Sequence, residues 1–520
     1  MMKPHTMTVR ELLRDLTGDP VPPISVTGIA SHSKQVRPGE LFIALRGPNA
    51  DGHGFLDEAV KRGAVAIVVE QAPEIRLPCP VIRVADAQKA IAEIAARFYG
   101  RPVERLRMVG ITGTCGKTTT SYMTRAMLQA AGQRVGLIGT VAYEIGQRYV
   151  PSTNTTPGPL ALQQLLAQMI DQGLQWCVME VSSHALDQRR IEGLAFDAAV
   201  WTCLGSDHLD YHKTLEQYAN AKRKIFTYLR RAPVDAAPRE DRTVLGAGRS
   251  VINLDDPYGQ TLAETLTVKP MVTYGVESVP PDCVRRTARP TPMVNVRVLT
   301  CSWEGMQLVV ESPWGVFPVE TSIVGRHNVS NIAAACATVL GLGVWPSAIQ
   351  EALAQFPQVP GRLERVANDA GVQVIVDFAH TADALHRTML ALRELVRGRL
   401  VVVFGCGGDR DQLKRPAMGQ VASLLSDYVI LTADNPRSED PQDIIHQIKS
   451  GFVPGFRDFS TVVDREEAIT KALSMAHPDD AVLIAGKGHE AYQIFQHTHI
   501  PFSDREVVER FFARAKPLAV

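Results

Sequence analysis

The sequence predicts an α/β protein built as three successive units. Three observations carry that prediction. Short apolar runs such as Ala64–Val69 and Leu400–Phe404 have the length of buried strands. Stretches with apolar residues at helical spacing alternate with them, the pattern of mostly parallel sheets covered by helices. At roughly 150 residues per domain, a chain of 520 residues makes about three or four domains.

In chain order, the first unit opens with a helix whose face carries Val9, Leu12, Leu13 and Leu16. A strand at Leu41–Leu45, a helix at Gly54–Arg62 and a strand at Ala64–Val69 complete a small α/β unit. The second unit opens at Leu106. RMVGIT is a strand, a glycine loop follows, and a helix runs from Lys117 to about Ala131. Further strands are expected at Arg134–Ile138, Cys177–Val181, Ala198–Cys203 and Val251–Leu254. Between them Leu162, Leu165, Leu166, Met169 and Ile170 mark a helix over Pro159–Gln172, stopped by Gly173. The Pro- and Arg-rich stretch Arg230–Arg242 and the stretch Pro280–Pro292 read as loops. From Val294 to Ile323 the pattern turns antiparallel. The third unit begins near Pro357–Gly361. VQVIVDF, RLVVVFG, DYVILTA and AVLIAGKG are its four buried strands.

Composition excludes several classes. Hydrophobic residues at 45% and charged residues at 21% suit a packed soluble chain rather than a disordered one. Lys+Arg and Asp+Glu both number 55, so the large positive excess of a nucleic-acid wrapper is missing. No apolar run reaches the ~18–20 residues of a membrane span, and the N-terminus lacks a signal-peptide apolar core. The eight cysteines, spread from Cys79 to Cys406 with no CxxC pair, read as scattered reduced thiols of a cytoplasmic protein.

Chemistry enters with GITGTCGKTTT at Gly110–Thr120, placed after a strand and before a helix. Backbone N–H groups of such a loop converge on anionic oxygens, helped by the helix N-terminus. Lys117 would reach the outer phosphates, and the Thr118 hydroxyl would ligate Mg²⁺. The loop is shorter than the common GxxxxGK[ST] form, whose first glycine falls on Ile111 here. Glu180 ends the strand WCVMEVSS, and ligands of open α/β sheets bind beyond strand carboxyl ends. Asp207, His208, Asp210 and His212 follow the next strand. One or two carboxylates plus phosphate oxygens and water are what Mg²⁺ prefers.

These stretches, with PGELFIALRG, STNTTPGP, MEVSSHALDQRR, DHLDYHKTLEQYANAK, GRHNVSN, PGRLERV, VDFAHTADAL, FGCGGDRDQLKRPAMG, TADNPRSEDP and IAGKGHEAYQ, resemble the Mur ligases of peptidoglycan synthesis along essentially the whole chain. The short phosphate loop is that family's own form. The resemblance implies the three-domain Mur ligase architecture. An N-terminal UDP-substrate-binding domain would span 1–104, a central P-loop ATPase domain 105–356, and a C-terminal Rossmann-like, amino-acid-binding domain 357–520.

The resemblance also implies an ATP-dependent acid–amino-acid ligase of cell wall biogenesis, serving cell shape and division. The D-glutamyl carboxylate of UDP-N-acetylmuramoyl-L-alanyl-D-glutamate would attack ATP, and an amine would then attack the acyl phosphate. Lys117, Lys222 and His208 would be the catalytic residues. ATP would be held by Gly113, Thr114, Cys115, Gly116, Lys117, Thr118 and Thr119, then by Asn331, Arg362, Asp377 and His380. Mg²⁺ would sit on Thr118 and Glu180, with His208 and Lys222, the latter as a carbamate. Ser33, Asn154, Thr155, Thr156, Ser182, Gln188 and Arg190 would take the UDP-sugar dipeptide. Two departures stand out: the family's usual Asp-Ser-Arg is His32-Ser33-Lys34 here, and Cys115 replaces the more usual Asn.

Asp434-Asn435-Pro436-Arg437 matches the signature of members that add meso-diaminopimelate. Arg437 would bind its distal carboxylate bidentately, with Arg410, Asp434, Asn435, Pro436, Gly486 and Glu490 around it. The competing expectations are a lysine-adding ligase, a folylpolyglutamate-type enzyme and a non-catalytic scaffold. DNPR opposes the first, and the dense match outside the phosphate loop opposes the second. The presence of Lys117, Thr118, Glu180, His208 and Lys222 opposes the third. Three small-molecule substrates, no nucleic acid, no membrane insertion and a monomeric state complete the expectation.

Overall fold

A computed structural model describes residues 6–47, 50–231, 247–268, 270–277 and 290–515. Of the two expected loops, 232–242 lies outside these residues, as do 280–289. Three main sheets follow one another along the chain. The first has four parallel strands in sequence order: Gly28–Ala30, Glu40–Ile43, Ala66–Val69 and Val81–Arg83. One face packs Leu41, Ile43 and Val68 against Ile91 and Ile94 of the helix Ala87–Phe98. The expected opening helix is cut to Val9–Leu12 by Asp15, which adopts a left-handed φ of 61°. Val9, Leu12 and Leu13 are nevertheless buried as the spacing requires. Thr8 and Glu11 close a capping box at its start.

The second sheet has eleven strands. Its middle is parallel, with Arg107–Thr112 between Trp176–Glu180 and Ala198–Trp201. The antiparallel strands Val294–Ser302, Gly305–Ser312 and Gly315–Thr321 extend one edge, as the alternation there predicts. Helices Lys117–Ala130 and His327–Gly341 cover one face, and Pro159–Asp171 covers the other. Gly173 ends that last helix with a φ of +71°. Both faces being covered is why the central strands are apolar throughout rather than alternating.

The chain passes once from the second sheet to the third, between Thr321 and Glu364. The third sheet is ordered Glu364–Val366, Gln373–Asp377, Ala481–Ala485, Leu400–Phe404, Tyr428–Leu431 and Phe459–Thr461. Only the first pair is antiparallel. Helices pack on both faces, giving a doubly wound form in line with the expected Rossmann-like domain. The hairpin Tyr492–Phe495/Thr498–Pro501 and the helix Asp504–Ala515 close the unit. The observed strands sit within one to three residues of the expected ends.

Candidate active site

The strand Arg107–Thr112 runs into the loop Gly113–Gly116, and the helix Lys117–Ala130 starts at once. Gly116 has a φ of +84°, and a side chain there would also run into Asn331. The first-turn N–H groups are left facing the strand's carboxyl end. Lys117 Nζ donates to the carbonyls of Gly113 at 2.8 Å and Thr114 at 2.9 Å. The Gly113 carbonyl also accepts from Lys222 Nζ at 2.7 Å. Lys222 is buried, with its nitrogen 4.3 Å from the centre of the Tyr218 ring. Burial, and next the charge of Lys117, hold it well below the ordinary lysine range, which favours an uncharged amine.

Glu180 is fully buried at the end of the neighbouring strand. It accepts from the Thr118 hydroxyl at 2.9 Å and from Thr140 N at 2.8 Å and Oγ1 at 3.1 Å. Among the described residues no ion pair reaches this carboxylate, only neutral donors. A buried anion in that position is the half of a site that a cation completes. No three His, Cys, Asp or Glu side chains among the described residues group well enough to hold a metal alone. The Glu180 carboxylate and the Thr118 hydroxyl are donors of the kind Mg²⁺ takes, with phosphate and water for the rest.

Across from Glu180 lie Asp207 and His208, with His208 Nε2 3.4 Å from Asp207 Oδ2. His208 has a left-handed φ of 55° at the start of the short helix Leu209–His212. Burial pushes its imidazole down to about 4, partly opposed by Asp207. Burial works against the Asp207 charge, but His208, His380 and Lys117 outweigh it and keep the carboxyl below its ordinary value.

The third sheet supplies the facing wall. Arg362 Nη2 donates to Thr118 Oγ1 at 3.3 Å, and its guanidinium lies 4.5 Å from the Phe378 ring centre. His380 Nδ1 is 2.9 Å from the Phe378 carbonyl. The carboxylate of Asp377 accepts from Leu363 N at 2.7 Å, Ala379 N at 2.9 Å and Thr388 Oγ1 at 3.2 Å, so it fastens the turn leading to His380. Asn331, on the helix His327–Gly341, donates to Asn328 at 2.9 Å. One cleft takes in Thr114–Thr119, Glu180, His208, Lys222, Asn331, Arg362, Asp377 and His380, together with Thr155 and Ser182.

The other residues expected around the sugar peptide run outward from that cleft. Thr156 Oγ1 donates to the Glu180 carbonyl at 2.9 Å, and Arg190 Nη1 donates to the Thr156 carbonyl at 3.1 Å. Arg190 also donates to Gln188 Oε1 at 3.0 and 2.7 Å, and Gln88 of the first unit donates to the Gln188 carbonyl at 3.0 Å. Asn154 is exposed, its carbonyl accepting from Tyr143 at 2.6 Å. Ser33 stands apart in the first unit, buried and donating to Glu58 at 2.6 Å.

The expected amino-acid residues form their own cluster at strand ends of the third sheet. Asn435 Nδ2 donates to Glu490 at 2.9 Å. Arg437, with a φ of 52°, donates to the Gly408 carbonyl at 2.6 Å. Burial and then the nearby Arg410 charge lower its pKa, against Asp434 and Glu490. Gly486 has a φ of +111°, and a Cβ there would lie 2.5 Å from Asp434 Oδ2. Its N–H donates to the Asp377 carbonyl at 3.0 Å, joining this cluster to the cleft.

Sequence reasoning missed several members. Lys487, fully buried, donates to Asn435 Oδ1 at 3.1 Å and pairs with Glu490 at 2.9 Å. His489 is held down at about 4, by burial first and Arg362 second. Thr140 completes the Glu180 shell. Lys487 and His489 lie inside IAGKGHE, so the motif held the signal although only Gly486 and Glu490 were drawn from it. The thiols are not all scattered either: Cys203 Sγ lies 3.7 Å from the Cys115 carbonyl.

The Mur ligase middle domain profile matches residues 111–339. The Mur ligase, glutamate ligase domain profile matches 361–488, and the Mur ligase family, catalytic domain profile matches 25–99. A UDP-N-acetylmuramoyl-L-alanyl-D-glutamate--2,6-diaminopimelate ligase of Geobacter metallireducens is 42% identical over 504 residues, 94% of each chain. One of Geobacillus thermodenitrificans is 42% identical over 482 residues, 93% of this chain and 94% of that one. A solved structure carrying the same enzyme name aligns with a TM-score of 0.67 at 31% identity, over 98% of this chain and 100% of the other.

Proposed function

The chain belongs to the Mur ligase family, and on that premise we propose that it joins meso-2,6-diaminopimelate to UDP-N-acetylmuramoyl-L-alanyl-D-glutamate. It is an ATP-dependent, amide-bond-forming ligase. The single observation that carries the reading is the 3.3 Å bond from Arg362 to Thr118, which sets third-sheet residues over the phosphate loop.

In this reading a D-glutamyl carboxylate oxygen attacks the γ-phosphorus, and the bond to ADP breaks. The diaminopimelate amine then attacks the acyl carbon, inorganic phosphate leaves with the bonding electrons, and the ammonium formed gives up a proton. A carboxylate alone has a poor leaving group, and phosphorylation supplies a good one. Lys117 and the loop N–H groups hold the triphosphate and stabilise the charge that develops on it. Mg²⁺, held by Thr118 and Glu180 beside His208 and Lys222, would neutralise phosphate oxygens. The neutral amine of Lys222 is the form that takes up CO₂, its nitrogen bonding to carbon as it releases a proton and leaves an anionic carbamate. Arg362 and His380 cover the site from the third unit and exclude water from a hydrolysable intermediate.

Arg437 and Arg410 select the dicarboxylic diamine. Lysine would leave a guanidinium with no carboxylate to meet, a loss on the order of 2–5 kcal/mol. We assign the UDP substrate to 1–104, ATP to 105–356 and the amino acid to 357–520; among the described residues no sheet crosses those boundaries. We also propose that it works as a cytoplasmic monomer. Incubation with ATP, the UDP-dipeptide and a mixture of amino acids tests the reading by product mass. Diaminopimelate is expected in the product. Equal incorporation of lysine overturns the selection, and no product overturns the activity.

A further inference from the structure

Eighty-eight positions separate Cys115 from Cys203, yet the fold lays them together at the phosphate loop. Cys115 is in the loop itself, and Cys203 follows the strand Ala198–Trp201 that lies beside it. The two segments are laced by the backbone. Thr114 N donates to the Cys203 carbonyl at 2.8 Å, and Thr202 Oγ1 donates to the Cys115 carbonyl at 2.6 Å. The Cys203 thiol reaches the same carbonyl at 3.7 Å. From the third unit, Arg387 Nη1 comes within 3.6 Å of Cys203 Sγ. Both cysteines are half-buried, and Cys115 lines the cleft that the nucleotide reading fills.

We propose that Cys115 and Cys203 form an oxidisable dithiol, a covalent modification site for peroxide-class oxidants that closes the phosphate loop to nucleotide. The neighbouring Cys115 thiol, followed by the Arg387 charge, outweighs burial and holds Cys203 well below the ordinary thiol range. The Cys203 thiol in turn, with burial, raises Cys115. Cys203 is therefore the nucleophile and Cys115 the resolving thiol.

The chemistry balances with one peroxide. The Cys203 thiolate attacks a peroxide oxygen, the O–O bond breaks, and hydroxide leaves, giving a sulfenic acid. Cys115 sulfur then attacks Cys203 sulfur. The S–O bond breaks, the Cys115 proton goes to the departing hydroxide, and water and a disulfide result. Two thiols are oxidised by two electrons, and the peroxide is reduced to water. The crosslink draws the Cys115 side chain, which lines the cleft, onto Cys203 and so reshapes the loop whose N–H groups take the phosphates. A thiol reductant reverses the step by exchange.

The inference rests on reading this loop as the triphosphate site, and the experiment keeps the two claims apart. The full chain is treated with hydrogen peroxide, with and without ATP and Mg²⁺, then digested without reduction. A peptide joining Cys115 to Cys203, lighter by two hydrogens than the two thiols, is expected. Loss of ATP binding in step with it, recovery on reduction, and slower crosslinking with nucleotide present are also expected. Cys203→Ser should keep its basal activity and resist peroxide, with Cys203→Ala as a second variant if the first folds poorly. Absence of the crosslinked peptide overturns the dithiol, and so does equal peroxide sensitivity of both variants and the parent. A crosslink that leaves ATP binding unchanged overturns the closure. If the untreated chain binds no ATP, the nucleotide reading fails while the crosslinked peptide still reports on the thiols.

Discussion

At the scale of single residues, Lys222 shows how far burial can change a side chain's meaning. On sequence it is one lysine of a basic helix, NAKRKIF. Buried, donating to Gly113 and crowded by Lys117, it is a poor place for a second ammonium and a good one for an amine that captures CO₂. Lys222→Ala is expected to lower kcat by about 10²-fold or more, as removal of a preorganised charge at a phosphoryl-transfer site does. Added bicarbonate should not restore it, whereas small carboxylates should do so in part, read by phosphate release. Full activity of the variant would remove the carbamate. The resemblance to the family pointed to Lys222 and the other loop and strand-end residues because they lie in contiguous motifs. It could not point to Cys203 beside Cys115, or Thr140 beside Glu180, because those neighbours meet only through strand order.

At the scale of elements, the buried strands were legible because both sheet faces are covered and their residues are uniformly apolar. The helix after Thr8 was overestimated, since its periodicity continues to Leu16 while the backbone turns at Asp15. The helix Asp504–Ala515 was not singled out, yet it anchors the amino-acid cluster. Arg465 pairs with Asp504 through contacts of 2.7 and 2.9 Å, both side chains fully buried. The same guanidinium donates to the carbonyls of Ala433 at 3.4 Å and Ala485 at 3.0 Å, one residue before Asp434 and Gly486. Asp504→Ala leaves that charge unpaired and is expected to cost about 3–5 kcal/mol. A lower denaturation midpoint, with KM for diaminopimelate raised more than KM for ATP, is the expected pattern. Equal change in both constants would show that the helix supports the fold without aligning the cluster.

At the scale of the molecule, three α/β units in series were predicted, and three main sheets are present among the described residues, but how they face one another was not legible. Arg362 makes one of the contacts between the second and third, 244 positions from its partner Thr118, beside those of Arg387 with Cys203 and Arg326 with Glu394. Hydrogen bonds to a charged group contribute about 1.5–3 kcal/mol, so Arg362→Ala should raise KM for ATP by about 10- to 100-fold. Small-angle scattering should at the same time lose any compaction that ATP induces in the parent. Unchanged compaction would assign closure to other contacts. The single passage of the chain between these two sheets has a consequence for synthesis. A ribosome finishes Lys117, Glu180 and Lys222 long before it reaches Arg362 and His380, and domains tend to fold in that order. A nascent chain of that length therefore carries half of a nucleotide-burning centre without its cover, and it cannot idle on cellular ATP until Arg362 and His380 have been made.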